Sequence, residues 1–212
     1  MATVTMILGE SGTGKSCSIR NLPPEKTFVI KSIDKDLPFK GGNKFHLRVS
    51  DNAGQIKQWL AQANLKDGIK VIIIDDFQYI MCNEWMRSLM DKQTKDSEFH
   101  KYKKIGHDAW SILMDAMRMR DDISVFILSH TEQDQWGKTK IKTIGKLLDE
   151  KVTLEGLVTI CLHTKVEGGK YYLETVNNGS NTVKSPMGLF NESKIPNDLN
   201  MVIESINIYK GE

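Results

Sequence analysis

Hydrophobic residues recur along this chain in short runs that are bounded by polar residues. Short apolar runs of this kind are typical of strands buried in a sheet. They occupy residues 4–8, 27–30, 45–49, 71–74 and 125–128. Between them, apolar residues follow helical spacing in residues 15–21, 55–63, 79–90 and 107–120. Strands that alternate with helices predict an α/β fold with a mostly parallel sheet and helices on both faces.

The last third of the chain has a different pattern. Residues 157–164 and 170–175 are predicted to be paired strands joined by a glycine turn, which adds an antiparallel edge to the sheet. Residues 131–146 are polar and rich in lysine, and the tail from residue 186 is loop-like before a final apolar stretch at 199–208. No repeat or linker interrupts the sequence. We therefore expect a single domain over residues 1–212, in which residues 157–212 extend the same fold.

Composition narrows the range of functions. The chain has 212 residues and a net charge of +2, so nucleic-acid binding would need a local basic patch. The three cysteines, Cys17, Cys82 and Cys161, form no CxxC pair and no zinc pattern, which favours a reduced cytoplasmic setting. We expect no signal peptide and no membrane span, because no apolar stretch approaches the roughly 20 residues that cross a bilayer.

The first predicted strand leads directly into GESGTGKS, which matches the phosphate-binding pattern GxxxxGKS of a P-loop. Glycines let the backbone turn its N–H groups onto phosphate oxygens, and the following helix directs its first amides at the same anion. Lys15 is expected to bridge the β- and γ-phosphates, and Ser16 to hold Mg²⁺. The strand before the motif and the helix after it favour a P-loop over a chance glycine-rich turn. The residues predicted to bind ATP are Gly9, Glu10, Ser11, Gly12, Thr13, Gly14, Lys15, Ser16 and Cys17.

A second motif supports a nucleotide site. Four apolar residues, 71–74, precede Asp75, and this is the pattern of a Walker B strand. Asp75 is expected to hold Mg²⁺, directly or through water. Taken alone, the segment would suit a buried strand followed by a solvated acid equally well. Beside a P-loop it predicts that the protein uses ATP and Mg²⁺.

Hydrolysis also needs a group that orients or deprotonates the attacking water. Asp76 is the first candidate because it follows Asp75, although an aspartate at this position can also be the N-cap of the next helix. Glu84, about two helical turns further on, is the second candidate. His130 ends the strand after the Walker B strand and is predicted to contact the γ-phosphate or the water. A histidine that is simply hydrogen-bonded at a strand end is the alternative.

Two segments have the composition of nucleic-acid-binding loops, because lysines neutralise phosphates and aromatic rings stack on bases. The first, residues 92–104, contributes Lys101, Tyr102, Lys103 and Lys104. The second, residues 131–146, contributes Trp136, Lys138, Lys140 and Lys142. Both segments follow strands that are expected to sense the nucleotide. A solvated lysine face is the alternative, and acidic neighbours such as Asp96 and Glu132 weaken the signal.

All five arginines lie in the first 120 residues. Small-molecule kinases usually carry arginines after the fourth or fifth strand to clamp their second substrate, so this class is disfavoured. An arginine finger from the C-terminal half is excluded for the same reason. If a neighbouring subunit supplies a cation to the γ-phosphate, the candidate is Lys184 in the stretch TVKSP. An ordinary exposed lysine is the alternative.

The order of GESGTGKS, VIIIDD, VFILSH, KTIGKLLDEK and KSPMG resembles that of small phage-encoded ATPases with a RecA-like core, over nearly the whole chain. The resemblance implies a RecA-like P-loop NTPase sheet and homo-oligomers with nucleotide near the subunit interfaces. Some relatives of that group act in single-strand annealing or recombination, which implies single-stranded DNA as a partner and the host-cell cytoplasm as the location. RecA-like recombinases take their catalytic glutamate from the strand before the Walker B strand. Here that strand leads into Ser50-Asp51, and Asp51 is the candidate substitute.

These patterns together predict an ATP- and Mg²⁺-dependent ATPase that binds single-stranded DNA and acts in recombination, annealing or replication. The alternative is a nucleotide-dependent loader or switch that uses its lysine-rich segments on a replication or recombination protein. A small-molecule kinase is a third, disfavoured class.

Overall fold

A computed structural model describes residues 1–90 and 98–211 of the chain. Its strands are β1 Thr3–Leu8, β2 Thr27–Lys31, β3 His46–Val49, β4 Val71–Asp75, β5 Ser124–Ser129, β6 Thr131–Gln133, β7 Thr139–Ile141, β8 Ile160–Glu167, β9 Lys170–Glu174 and β10 Lys194–Pro196. Its α-helices are α1 Ala53–Asn64, α2 Gln78–Met90, α3 Glu98–Met117, α4 Leu154–Leu157 and α5 Leu199–Lys210. Short 3-10 turns occupy Ser16–Asn21, Pro24–Lys26 and Gly42–Lys44, and one π-helical turn occupies Leu147–Lys151.

The main sheet has eight strands within the described residues, in the order β10-β9-β8-β1-β5-β4-β2-β3. The strands from β8 to β3 in this order are parallel, and β9 and β10 add an antiparallel edge. The predicted α/β fold with an antiparallel C-terminal edge is therefore confirmed. Because β5 lies between β1 and β4, the carboxyl ends of these three strands meet at one edge of the sheet.

The alternation of side chains along each strand divides the core between the two faces of the sheet. On one face, Met6 and Ile72 pack in a cluster that includes residues of α1, α2 and α3. On the other face, Ile7 and Ile73 pack with residues of the turn Ser16–Asn21 and of α5. Helical layers on both faces leave the carboxyl edge of the sheet as the place where a cleft can form.

The segment after the glycine-rich motif differs from the predicted helix. Ser16–Asn21 is a six-residue 3-10 helix whose bonds include Ser18 N to Lys15 O at 3.1 Å and Leu22 N to Ile19 O at 2.9 Å. Two prolines follow directly at residues 23–24. Because proline lacks an N–H and restricts the residue before it, the helix cannot lengthen into the usual α-helix. The helix predicted after the motif is therefore present as a short 3-10 helix.

Three other segments also differ from the sequence-based prediction. The polar segment after β5 contains the hairpin β6–β7, which forms a separate two-stranded sheet. The apolar stretch near the C-terminus is the helix α5, and the side chain of Asp198 caps it by accepting a hydrogen bond from Asn200 N. Helix α3 begins at Glu98 rather than at residue 107. Within the described residues, no helix combines the length and hydrophobicity that a membrane crossing requires.

Candidate active site

A cleft of about 980 Å³ lies at the carboxyl edge of the sheet. The loop after β1 forms its floor, and the loop after β2 forms one wall with Lys35 and Phe39. Asp76 and His130 follow the adjacent strands β4 and β5, and Tyr171 of β9 closes the opposite side. The strand order therefore collects in one cleft residues that are far apart in the sequence.

The backbone of the glycine-rich loop surrounds the side chain of Lys15, which belongs to the same loop. Gly12 and Gly14 have φ angles of 79° and 93°, which are accessible to glycine at little cost. Lys15 Nζ donates hydrogen bonds to Gly9 O at 2.8 Å and to Glu10 O at 2.7 Å. Burial lowers the pKa of Lys15 to about 8, because a charged amine is poorly solvated there. An incoming phosphate would offer this ammonium a stronger partner than the two carbonyls.

Residues of the last strands hold the glycine-rich loop from outside. Thr13 Oγ1 lies 2.6 Å from Thr164 Oγ1, and a Cβ at Gly9 would come within 1.8 Å of that Thr164 atom. Asn197 Nδ2 donates to Gly14 O at 2.8 Å, and a Cβ at Gly14 would meet the same nitrogen at 2.6 Å. Both glycines are thus required by close packing. The sequence carries no motif that would have predicted Thr164 or Asn197 as partners of the loop.

Ser16 and Asp75 lie close together and could hold Mg²⁺ through their side-chain oxygens. Ser16 Oγ donates to Asp75 Oδ1 at 3.1 Å, so the two side chains converge at one point of the cleft. Burial, and then the neighbouring Asp76, raise the pKa of Asp75 to about 6, which shows that the carboxylate lacks full compensation of its charge. No cluster of three or more metal-ligating side chains occurs among the described residues. This donor set fits Mg²⁺, which takes most of its ligands from phosphates and water.

Asp76 lies next to this pair and contacts Lys35 and His130. Its φ of 60° is the single positive value among the described non-glycine residues. Its carboxylate contacts the ammonium of Lys35, and its Oδ1 lies 3.4 Å from His130 Nε2. Burial would raise the pKa of Asp76, but the hydrogen bonds from His130 and Lys35 outweigh burial and lower it. The side chain therefore turns into the cleft as a charged carboxylate rather than capping α2.

The loop after β2 is fixed to the Walker B strand. Ser32 N donates to Asp75 O at 3.1 Å, which continues the pairing of β2 with β4. Lys31 is buried, and its Nζ donates to Lys35 O at 2.7 Å. These contacts orient Lys35 toward Asp76. No sequence motif marks Lys35, because its contact with Asp76 depends on the strand order.

Two residues considered for water activation lie away from the cleft. Glu84 on α2 accepts hydrogen bonds from Lys104 at 2.6 Å and from Arg87 at 3.1 Å, and the Lys104 bond is the main cause of its lowered pKa. Asp51 accepts from Asn83 at 2.6 Å and from Arg87 at 2.8 Å. Both carboxylates belong to a surface ion cluster beside α2, so the structure does not bring either of them to the nucleotide cleft.

The first lysine-rich segment is not a loop where the structure describes it. Lys101, Tyr102, Lys103 and Lys104 lie in the first turns of α3, and residues 92–97 of the segment fall outside the described residues. Lys101 Nζ donates to Ser88 O at 2.6 Å, and Lys104 bonds Glu84 and Asp108. The prediction of a loop is wrong for residues 101–104, because α3 begins nine residues earlier than its apolar pattern indicated.

The second lysine-rich segment is the hairpin β6–β7, which begins immediately after His130. Asp134 Oδ1 accepts from Trp136 N and from Lys138 N, both at 2.9 Å, and so forms the turn at its tip. Trp136 is 81% exposed at this tip. Lys140 pairs with Glu132 across the hairpin at 3.5 Å. Lys142 is exposed at the other end, beside His130.

Lys184 pairs through its backbone with Cys161 of β8, an inner strand of the main sheet, by two 2.8 Å hydrogen bonds. It does not line the cleft of its own chain among the described residues. A lysine that acts on the nucleotide of a neighbouring subunit would not need to line the cleft of its own chain.

A comparison with protein families found one model, described as an AAA domain, that matches residues 1–187. A comparison with curated proteins found no match. The matched region includes the glycine-rich loop, Asp75, Asp76 and His130. Asn197, which contacts that loop, lies beyond it.

Proposed function

The chain belongs to the AAA domain family of P-loop ATPases, and from this premise we propose that it hydrolyses Mg²⁺-ATP and couples hydrolysis to binding of single-stranded DNA. The role that we propose is recombination, annealing or replication in the host-cell cytoplasm, as in the phage ATPases that its sequence resembles. One observation carries the proposal. His130 contacts Asp76 inside the cleft, and the exposed hairpin begins at the next residue.

The cleft offers a group for each part of the hydrolysis reaction. Lys15 is placed to bind the β- and γ-phosphates, and Ser16 and Asp75 would hold Mg²⁺, which neutralises phosphate charge when bound. Asp76 is the proposed base. A water oxygen forms a bond to the γ-phosphorus, the bond from that phosphorus to the β,γ-bridging oxygen breaks, and the water proton passes to the Asp76 carboxylate. His130 holds Asp76 Oδ1 and so orients the carboxylate.

Two variants test the nucleotide site directly. Lys15→Ala removes the charge that positions the phosphates, and Asp75→Ala removes a Mg²⁺ ligand. We expect each to lower ATP turnover by at least about 100-fold, which corresponds to about 3 kcal/mol of transition-state stabilisation. Undiminished turnover in both variants would refute the assignment of the site.

The proposed DNA contact is the hairpin. Lys142 N donates to His130 O at 2.8 Å, so a shift of His130 on nucleotide binding would reach the residue that follows β7. The exposed Trp136 offers a ring for base stacking, and Lys138 and Lys142 offer charges for phosphates. The hairpin therefore joins the nucleotide site to an exposed aromatic and basic surface.

The test is ATP turnover with and without a single-stranded oligonucleotide, together with oligonucleotide binding across a salt series. We expect DNA to stimulate turnover. Replacing Lys138, Lys140 and Lys142 with Ala should weaken binding and reduce the slope of log K against log salt by up to about 2. The charge-matched control replaces Lys26, Lys57 and Lys66 with Ala, far from the hairpin. Failure of the wild-type protein to bind DNA at low salt, with an ATP analogue present, would refute the DNA role.

A second candidate is a nucleotide-dependent loader or switch that acts on a replication or recombination protein. The pairing of Lys140 with Glu132, and of Lys101 and Lys104 with groups of their own chain, favours it by reducing the charge available to DNA. A stoichiometric complex with a replication protein, in the absence of DNA binding, would support this candidate.

We also propose that the protein forms homo-oligomers with nucleotide near the subunit interfaces. Lys184 is partly exposed and does not line the cleft of its own chain, which leaves it available for a contact with a neighbouring copy. In this arrangement Lys184 of one subunit would approach the γ-phosphate held by the next subunit.

A further inference from the structure

We propose that Lys35 binds the γ-phosphate of an ATP molecule held in the cleft of its own chain. When ATP enters the cleft, the Lys35 ammonium moves from the Asp76 carboxylate to the γ-phosphate. The inference rests on the proposed ATPase function and adds a residue to the same site. In the absence of nucleotide, Lys35 holds Asp76 in an ion pair. With ATP bound, the pair opens and the Asp76 carboxylate faces the attacking water.

The position of Lys35 supports this role. Its ammonium contacts Asp76 Oδ2, and Asp76 is the residue that follows the Mg²⁺ ligand Asp75. The Lys35 side chain is 51% exposed, whereas that of Asp76 is 3% exposed. The lysine thus reaches into the cleft from a solvated wall, and His130 stays beside Asp76 when the lysine changes partner.

The backbone of Lys35 is fixed at the base of the loop, whereas its side chain is half exposed. Lys31 is buried and its Nζ holds Lys35 O, and Ser32 N is bound to Asp75 O. The backbone of Lys35 is therefore tied to the strand that carries the Mg²⁺ ligand. A four-carbon side chain on a fixed backbone can swing between two neighbouring anions at low cost.

The balance of charge in the cleft gives the exchange a driving force. Lys15 and Lys35 face Asp75 and Asp76, so these four groups sum to zero charge. Mg²⁺-ATP adds net negative charge, and its γ-phosphate is a multiply charged acceptor. An ammonium ion pairs more strongly with such a phosphate than with a single carboxylate, particularly in a partly desolvated cleft.

The other cations that line the cleft are less well placed. Arg20 Nη1 already donates to Asn197 O at 2.6 Å and to Cys17 O at 3.0 Å. Lys170 belongs to β9, beside Tyr171 on the wall that packs against Gly14. Among the described cations of the cleft, Lys35 is the one in contact with the proposed base.

The test compares affinities for Mg²⁺-ADP and for a non-hydrolysable Mg²⁺-ATP analogue, because the two ligands differ in the γ-phosphate. We expect Lys35→Ala to weaken binding of the ATP analogue about 10-fold, a loss of one charged contact, with ADP binding unchanged. ATP turnover should fall by a larger factor than analogue binding, because a cation on the γ-phosphate also stabilises the transition state. Lys35→Arg should restore part of the preference for the ATP analogue. Lys40→Ala, an exposed lysine of the same loop outside the cleft lining, is the control.

Each outcome decides between the inference and the function on which it rests. Suppose that wild type binds and hydrolyses ATP. If Lys35→Ala then lowers the affinities for ADP and for the ATP analogue equally, or lowers neither affinity, Lys35 has only a structural role and the inference is overturned. Faster turnover in Lys35→Ala would show that the ion pair inhibits hydrolysis, and this result would also overturn the inference. If wild type binds no ATP analogue, the proposed ATPase function fails as well. Thermal unfolding of each variant excludes misfolding as the cause.

Discussion

The charge of Lys15 has opposite effects on the stability of the nucleotide-free protein and on nucleotide binding. Its ammonium is buried in the glycine-rich loop, and burial lowers its pKa to about 8 from the ordinary value of 10.5. A depressed lysine pKa means that the charged form is less stable in the folded chain than in water, by about 3 kcal/mol at pH 7. A phosphate ligand would reverse this penalty, because it supplies the missing negative charge.

Replacing Lys15 with Met should therefore separate the two properties. Methionine fills similar space without a charge, so we expect the free energy of unfolding of the nucleotide-free protein to rise by up to about 3 kcal/mol at pH 7. ATP turnover should be lost in the same variant. Urea unfolding and a turnover assay measure the two effects, with the exposed Lys26→Met as control. A variant that loses both turnover and stability would contradict this account of the loop.

His163 is a second buried titratable residue, outside the cleft. It lies on β8, between β1 and β9, and its Nε2 is 3.2 Å from Thr182 Oγ1. Burial lowers its pKa to about 4. Below pH 6.5 the unfolded chain takes up a proton at this residue, whereas the folded chain does so only near pH 4. The unfolded state then binds more protons, so acid destabilises the fold through this group.

We expect this histidine to remove up to about 3 kcal/mol from the free energy of unfolding as the pH falls from 6.5 to 4. His163→Gln keeps a polar group beside Thr182 but cannot titrate, so its stability should fall less steeply over the same interval. The exposed His107→Gln should retain the wild-type slope. Urea unfolding at several pH values measures all three proteins, and equal slopes for wild type and His163→Gln would disprove the effect.

At the level of elements, residues of the antiparallel edge contact the glycine-rich loop and hold it in place. We call Thr164, Tyr171 and Asn197 the clamp. Thr164 of β8 bonds Thr13, Tyr171 of β9 packs against Gly14, and Asn197 after β10 bonds Gly14 O. Helix α5 supports Asn197, because its apolar face is buried in the core. Of these three residues, Asn197 lies beyond the matched family region, which ends at residue 187.

The clamp can be weakened at Asn197. Asn197→Ala removes the hydrogen bond to Gly14 O, which should cost about 1 kcal/mol of stability. Because the loop is then less well ordered for phosphate, we expect the affinity for an ATP analogue to fall about 5-fold, which corresponds to about 1 kcal/mol. Asn200→Ala, in the first turn of α5, is the control. Calorimetric binding checks the prediction, and wild-type affinity in Asn197→Ala would show that the clamp does not order the loop.

The sequence predicted the elements whose side-chain pattern is governed by burial. Strands β1, β2, β4 and β5 were visible as apolar runs and are buried, and the P-loop followed the first of them. Strand β3 was also predicted, although most of its residues are exposed. The hairpin β6–β7 was missed because each of its strands has three residues, too few for a period of two to be recognised. Its turn residues Asp134 and Gly137 were the available signal.

The residues that complete the cleft could not have been predicted from local pattern. Lys35 reaches Asp76 only because β2 lies beside β4, and Tyr171 reaches Gly14 only because β8 lies beside β1. Such contacts follow from strand order, which a single sequence does not specify. The early stop of the helix after Ser16 was visible in the two prolines at residues 23–24, although its 3-10 geometry was not.

At the scale of the whole molecule, the two lysines proposed to reach the γ-phosphate differ in the subunit that supplies them. Lys35 contacts Asp76 of its own chain, so it is expected to act on nucleotide held by the same subunit. Lys184 does not line the cleft of its own chain and would have to act on the nucleotide of a neighbour. Mixing inactive variants distinguishes the two arrangements, because a mixed oligomer can combine intact residues from different chains.

We expect a mixture of Lys184→Ala with Lys15→Ala to regain turnover, because the first chain keeps its P-loop and the second supplies Lys184. In an equal mixture about a quarter of the interfaces would combine an intact P-loop with an intact Lys184 across the boundary. A mixture of Lys35→Ala with Lys15→Ala should stay as inactive as its parts, because Lys35 and the P-loop must belong to one chain. Turnover measured before and after subunit exchange provides the comparison. If the Lys184→Ala mixture gains nothing although exchange is complete, Lys184 does not act across the interface, whereas recovery in the Lys35→Ala mixture would show that Lys35 acts between subunits.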